Sequence, residues 1–216
     1  FKINKNINKA IDQIGEINKK ILDSKLFPIT LGGEHSITPG CIRPFVKKYK
    51  NITLLHFDAH ADLRDSYSGE KFSHASAIKR CIDNKNVSVI SFGIRNISAE
   101  EIPILKKNKK RINIYWAKDK KEWDLKKFKK QIKNKDVYIT FDVDGLDSSI
   151  MPATGTPEPG GIFWDEALEI IRIACKNSRI VGADVNELAP IKGFNSYNFL
   201  VAKLVYKILS YKFLLK

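Results

Sequence analysis

The sequence predicts an α/β protein of three layers, αβα, in which a doubly wound and mainly parallel sheet is covered by helices on both faces. Three observations predict it. Apolar runs of strand length recur along the 216 residues, segments with helical spacing separate them, and histidines and aspartates gather directly after the runs. Such alternation implies parallel crossovers, because consecutive parallel strands need a long connection and a helix supplies it. Ligands of such sheets bind beyond the carboxyl ends of the strands, so the residues after each run are the ones to inspect.

Ile7, Ile11, Ile14, Ile17 and Ile21 fall on one face of an amphipathic helix that opens the chain. A strand is expected over 27–31, and further strands near 52–57, 87–92, 111–116, 137–141 and 179–183. Helices are expected over 38–49, 98–107, 121–133 and 164–176, with a last one over 196–213. No repeat or low-complexity linker divides the chain, whose length suits one domain, so 1–216 is read as a single domain. The only methionine is Met151, and the sequence opens at Phe1.

The formal charge of +14 comes from lysines scattered over helices and loops. A surface that grips phosphates clusters its basic residues, often with interleaved aromatics, and no such motif is present, so a solvated surface and no nucleic-acid partner are expected. Cys41, Cys81 and Cys175 are far apart and form no C-x-x-C pair. Neither a disulfide framework nor a thiolate metal site is indicated, and a reducing cytoplasm fits. No stretch approaches the roughly 20 apolar residues that span a bilayer, and the first segment lacks the apolar core of a signal peptide. A soluble, cytoplasmic protein with no membrane partner is expected.

After the first run, Gly32-Gly33 turns the backbone and brings His35 to the sheet edge. Taken alone this is an ordinary strand-to-helix connection, with Ser36 or Thr38 as a cap. The second run ends in Asp58-Ala59-His60-Ala61-Asp62. Alternate residues of an extended segment point the same way, so these three side chains can converge, and unpaired there they would be costly without a cation. His56 shares their parity but lies deeper in the strand and reads as a hydrogen-bonded core residue. The fifth run ends in Asp142-Val143-Asp144, whose mutual repulsion needs a compensating charge, beneath the Pro- and Gly-rich stretch 151–161. Asp147 reads better as a cap than as a ligand. Two histidines and four aspartates form a mixed nitrogen and oxygen set that suits manganese best, with zinc, cobalt or iron also compatible. Six side chains are too many for one ion, whereas two ions about 3.5–4 Å apart would use them all.

The runs GGEHS, HFDAHADLRDSY, FSHAS, TFDVDGLDSSIMPATGTPEPGG and GADVNELAP occur in this order from position 32 to 190. Together they resemble the ureohydrolases, the arginases and agmatinases, with agmatinases the nearer. The resemblance implies an arginase-like fold and two manganese ions, one held by His35, Asp58, Asp62 and Asp142, the other by Asp58, His60, Asp142 and Asp144. It implies hydrolysis of a guanidino group to urea and an amine: agmatine to putrescine, a step of polyamine synthesis. His74 matches the family's proton-transfer histidine, and Glu187 the carboxylate that holds the guanidinium. Asp62, His74 and Glu187 are thus the candidate catalytic residues. Glu187, His74 and Asp65 would bind substrate, with Asp147 and Asp184 supporting the ligands from behind. The resemblance also implies trimers or hexamers, and an N-terminal strand and loop beside the site that these 216 residues lack.

Arginases carry an asparagine for the amino-acid head group where this chain has Arg64-Asp65, which favours agmatine over arginine and leaves a carboxylated analogue such as 4-guanidinobutyrate open. A third reading is a non-catalytic, metal-stabilised homologue that acts by assembly or nucleic-acid binding. The complete ligand set with His74 and Glu187 argues against it.

Overall fold

The computed structural model describes residues 3–215, so the ends Phe1 and Lys216 of the expected domain lie outside the described residues. Six strands form one all-parallel sheet: β1 (Ile29–Leu31), β2 (Ile52–Phe57), β3 (Val87–Phe92), β4 (Ile112–Tyr115), β5 (Asp136–Asp142) and β6 (Arg179–Asn186). Their order is β1-β6-β5-β2-β3-β4. From β2 the chain proceeds outward to β4, then returns to lay β5 on the other side of β2 and proceeds outward again to β6. The reversal makes β2 and β5 neighbours, and the crevice above such a reversal is where open α/β sheets bind ligands.

Helices α1 (Ile7–Asp23), α2 (Thr38–Lys48), α3 (Ala77–Ile82) and α4 (Glu101–Lys107) cover one face. Ile14, Leu22, Ile42, Phe45 and Ile78 pack there on Leu54, Val89 and Tyr138. Helices α5 (Leu125–Ile132), α6 (Trp164–Asn177) and α7 (Asn195–Leu214) cover the other, where Phe128, Ile171, Leu204 and Ile208 meet Leu55, Phe57, Ile139 and Phe141. Of the isoleucines spaced along α1, Ile11 and Ile14 are buried while Ile7, Ile17 and Ile21 are half-buried, and Asn18 and Leu22 complete the buried stripe; the Asn6 side chain caps the first turn, accepting from Lys9 N at 3.1 Å. The first turn of α1's partner comes close because Gly40 has no side chain: a Cβ there would stand 2.7 Å from Ile11 O.

Two register rows set up the site. Thr30, Asp184, Thr140, His56 and Ser91 lie side by side across β1, β6, β5, β2 and β3, a polar row inside the sheet. One residue further, Phe141, Phe57, Phe92 and Tyr115 line up across β5, β2, β3 and β4, with ring centroids 4.6, 6.1 and 4.3 Å apart in that order. Because successive residues face opposite sides of a strand, the polar row faces α2, where Thr38 meets Thr140 and Asp184, and the aromatic row faces α5, where Phe128 packs edge-on to Phe92 and Tyr115.

Several boundaries differ from the sequence reading. The first strand pairs only from Ile29 to Leu31, since Pro28 has no N–H to give and only its carbonyl accepts, from Ala183 N at 3.1 Å. The helix expected over 98–107 starts at Glu101, whose carboxylate accepts from Ser98 N at 2.7 Å and closes the preceding turn. The helix expected over 121–133 is a 3₁₀ segment, Ala117–Glu122, followed by α5, which begins where Asp124 caps Lys127 N at 2.9 Å. Helix α3 was not anticipated. Among the described residues no helix is long and apolar enough to cross a membrane.

Candidate metal centre

The carboxyl ends of β2 and β5 and the turn after β1 meet in one buried cluster. His35, Asp58, Asp62, Asp142 and Asp144 are each under a tenth exposed, and His60 is half-buried. The local reasons are specific. Asp58 Oδ1 accepts from His60 N at 2.6 Å and so folds the chain back after β2. Asp142 Oδ1 accepts from Asp144 N at 2.9 Å and caps a short helical turn, while Asp144 Oδ1 accepts from Ala59 N at 3.0 Å and ties the two strand ends together. Gly145 permits this approach, since a Cβ there would sit 2.7 Å from Asp58 N. Strand alternation is not what makes Asp58, His60 and Asp62 converge. Strand β2 ends at Phe57, and Asp62 reaches the cluster through a left-handed backbone conformation with φ of 53°.

His35 gives the clearest chemical statement. Its Nε2 lies 2.8 Å from Thr140 Oγ1, which donates to Asp184 Oδ1 at 2.7 Å. With Thr140's proton directed at Asp184, Nε2–H must donate to Thr140, which in the neutral ring leaves a lone pair on Nδ1. Nδ1 stands 2.9 Å from Asp62 Oδ2, 3.1 Å from Asp58 Oδ2 and 3.5 Å from Asp142 Oδ2, yet it makes no hydrogen bond. A buried acceptor facing three carboxylate oxygens is repulsive unless a proton or a metal cation sits among them. On the other side, His60 Nδ1 is 3.1 Å from Asp144 Oδ2 and 3.4 Å from Asp58 Oδ1. Asp58 therefore presents one oxygen to each histidine, which is what a bridging ligand does.

Spatial proximity also groups His35, His56 and Asp58 as a possible ligand trio. His56 is unsuited, because Nδ1 meets Ser91 Oγ at 3.0 Å and Nε2 meets Asp58 Oδ2 at 2.8 Å, so both nitrogens are engaged. The trio Asp58, His60 and Asp144 has no such objection. Titration follows the same logic. Burial and the neighbouring carboxylates Asp144 and Asp58 push Asp142 well above the carboxylate range, and burial with the Asp58 charge pushes Asp62 up to about 7. Burial opposes charge on His60, but Asp144 and Asp58 outweigh it and raise its pKa to about 11. Burial likewise opposes charge on His35, and the carboxylates of Asp58 and Asp62 against Nδ1 raise it well above the usual histidine range. A cluster that holds protons this tightly carries more negative charge than its surroundings balance, which is the condition a divalent cation satisfies. The residues fit a metal centre of mixed nitrogen and oxygen donors.

Above the cluster opens a cavity of about 390 Å³ lined by His60, Asp62, Asp142 and Asp144 with His74, Glu34, Glu187, Arg64, Tyr67 and Thr156. Ser73 caps the turn that carries His74, and His74 Nδ1 lies 2.9 Å from Glu34 Oε1. Glu187 also has a left-handed backbone, with φ of 66°, and its Oε1 accepts from His35 N at 2.6 Å. Burial raises its pKa. Asp65 is not brought here: its carboxylate is exposed and pairs with Arg80 and Lys79, so substrate contact through it is corrected to a surface ion pair. Asp147 accepts from Ser149 N at 3.0 Å and Gly161 N at 2.8 Å and fastens the Pro- and Gly-rich loop. Asp184 accepts from Thr140, Thr38 and Asn186 and supports His35 through the relay just described.

Four contributors carried no signal in the sequence. Thr140 and Glu34 act through neighbours that only the fold supplies. Glu101 is buried and accepts from Leu63 N at 2.7 Å, which anchors the segment after Asp62. Arg95, outside every motif, gathers backbone carbonyls beneath the second strand end.

An all-parallel αβα protein with a buried histidine and aspartate cluster that could hold metal at its topological switch point is the class that fold and site define. The chain belongs to the arginase family, whose sequence pattern matches residues 1–210. It is 39% identical over 192 residues to the agmatinase of Bacillus anthracis, covering 86% of this chain and 63% of that protein. It is 34% identical over 189 residues to the N(1)-aminopropylagmatine ureohydrolase of Synechocystis, covering 86% of this chain and 60% of that protein. The chain thus spans about three fifths of the length of these curated relatives. The crystal structure of agmatine ureohydrolase from Thermoplasma volcanium superposes with a TM-score of 0.86 at 30% identity, covering 98% of this chain and 71% of that one.

Proposed function

We propose that this chain is a single ureohydrolase domain that binds two manganese ions and hydrolyses agmatine to putrescine and urea. The observation that carries the reading is the unpartnered His35 Nδ1 among three carboxylates, in one cavity with His74 and Glu187. Relatives named as agmatinase and as N(1)-aminopropylagmatine ureohydrolase support the guanidino class. In this reading one ion is held by His35, Asp58, Asp62 and Asp142, the other by Asp58, His60, Asp142 and Asp144. Bound there, two divalent ions supply Lewis acidity and a water acidic enough to ionise at neutral pH.

The chain's own residues do the rest. Glu187 pairs with the planar guanidinium through charge-assisted hydrogen bonds and fixes its carbon over the cluster. Asp62, beside His35, orients the attacking water by accepting its proton's hydrogen bond. His74, with Nδ1–H donated to Glu34, keeps Nε2 free to take up the proton given off by the attacking water and pass it to the departing amine. The acidic lining of the cavity suits a cationic substrate. Arg64 at the same cavity favours a second reading, a guanidino acid, and a relative with 33% identity is named a guanidino acid hydrolase. Assembly into trimers or hexamers and a cytoplasmic location belong to the proposal; the three buried free cysteines agree with a reducing compartment.

The test is urea release from agmatine, N-aminopropylagmatine, 4-guanidinobutyrate and arginine by the manganese-loaded full-length protein. Highest kcat/KM for agmatine is expected. No urea from any of them would refute the reading, and preference for 4-guanidinobutyrate would replace the substrate while keeping the reaction.

A further inference from the structure

We infer that Arg95 is a positioning residue that sets the geometry of the ion site between His60 and Asp144, and leaves the site on the His35 side to other supports. The inference rests on the two-ion reading above.

Arg95 follows β3, outside every motif that carries chemistry, yet it touches both ligand-bearing segments. Its main-chain N donates to Ala59 O at 2.8 Å, and Asn96 N donates to the same oxygen at 3.0 Å. Ala59 is the residue between Asp58 and His60. From the opposite side, Ala59 N is held by the Asp144 carboxylate at 3.0 Å, so this peptide is fixed at both ends. The guanidinium then reaches across to the second strand end. Nη2 donates to Asp144 O at 2.7 Å, Glu158 O at 2.7 Å and Leu146 O at 3.2 Å; Nη1 donates to Gly93 O at 2.9 Å and Gly145 O at 3.4 Å. One side chain therefore pins the main chain of a ligand, Asp144, to the strand that pins the peptide between two others.

The chemistry of the residue type matters here. Arg95 has no ion-pair partner within bonding distance among the described residues, and its Nε is buried without a hydrogen bond. A cation placed on carbonyl dipoles is there for its fork of donors, since a point charge would serve a salt bridge as well. Gly161 makes room for it, because a Cβ at that position would stand 2.8 Å from Nη2. Nothing comparable connects Arg95 to His35, which is held by Thr140 and by Glu187.

Groups that orient ligands without touching the metal change affinity by about 10–100-fold when altered. The experiment titrates the metal-free full chain with Mn²⁺ in a calorimeter, using wild type, Arg95→Lys, Arg95→Gln, His60→Ala and Thr140→Val. Wild type is expected to show two binding events. Arg95→Lys and Arg95→Gln are expected to weaken one of them by 10–100-fold, the same event that His60→Ala weakens, while the other stays within threefold. Thr140→Val is expected to weaken the opposite event. Arg95 variants that weaken both events equally, or neither, overturn the inference. So does failure of both Arg95 variants to melt cooperatively in chelator, which would make Arg95 a support of the whole domain. Absence of any binding by wild type would refute the two-ion reading itself and take this inference with it.

Discussion

The two ends of the one sheet carry opposite charge, and only one of them demands a ligand. At the carboxyl ends of the strands Asp58, Asp62, Asp142 and Asp144 are buried together. At the amino ends Lys50, Lys85, Lys133, Lys135 and Lys176 ring two hollows and are all exposed. Water hydrates the lysines one by one, so their repulsion is screened and no partner is needed. The aspartates have no such recourse. Burial, more than the count of like charges, turns a cluster into a site, and this is why a chain of net charge +14 is better read from its few buried acids than from its many lysines.

That contrast can be broken from the acidic end first. Removing divalent ions with chelator is expected to bring urea release to the uncatalysed background and to lower the melting temperature, because the buried cluster then loses the cations that balance its carboxylates; Mn²⁺ should restore both. A chelated protein that melts as late as the loaded one would show that cations do not balance the cluster. His74→Ala comes next, with turnover down about 10²–10⁴-fold and metal content per chain unchanged by elemental analysis. Loss of metal in that variant would make His74 a ligand. Glu187→Gln keeps the size and removes the charge, and is expected to cost about 2–5 kcal/mol in kcat/KM, again without loss of metal. Near-normal kcat/KM would assign guanidinium binding to another carboxylate, such as Glu158. Smallest of all, Lys133→Glu with Lys176→Glu at the basic end should change stability by less than about 0.5 kcal/mol each and leave manganese affinity alone. A large effect there would mean the amino-end hollows hold an anion.

The succession of six strands and most helices along the chain was legible because it rests on apolar runs and periodicity, which a buried face imposes directly; the spatial order of the strands was not. Helix α3 was not, since Ala77–Ile82 is under two turns long and too short to show a period. The break at Trp123-Asp124 was hidden because lysines on both sides continue a helical composition across it. The candidate ligands could be named as residue types at strand ends, and the fold gathers them in one cluster. What could not be read was which groups hold them: Thr140 supports His35 from 105 residues away, and Glu101 anchors Leu63 from 38. Asp65 misled because it adjoins a motif, while the fold turns it toward Arg80. His56 was placed correctly as a hydrogen-bonded core residue by its depth in the run.

The aromatic row beneath the ligands has an optical consequence. Phe57 ends the strand that delivers Asp58, and its ring continues through Phe92 to Tyr115, against which Trp123 packs edge-on, 5.1 Å from the Phe92 ring and 6.3 Å from that of Tyr115. Fixed aromatic packing produces near-ultraviolet circular dichroism that vanishes when side chains lose their order. The protein thus carries its own gauge under the candidate metal centre. A solution that has lost its cations but kept this signal has lost the site and not the sheet, and the two events can be told apart in a cuvette.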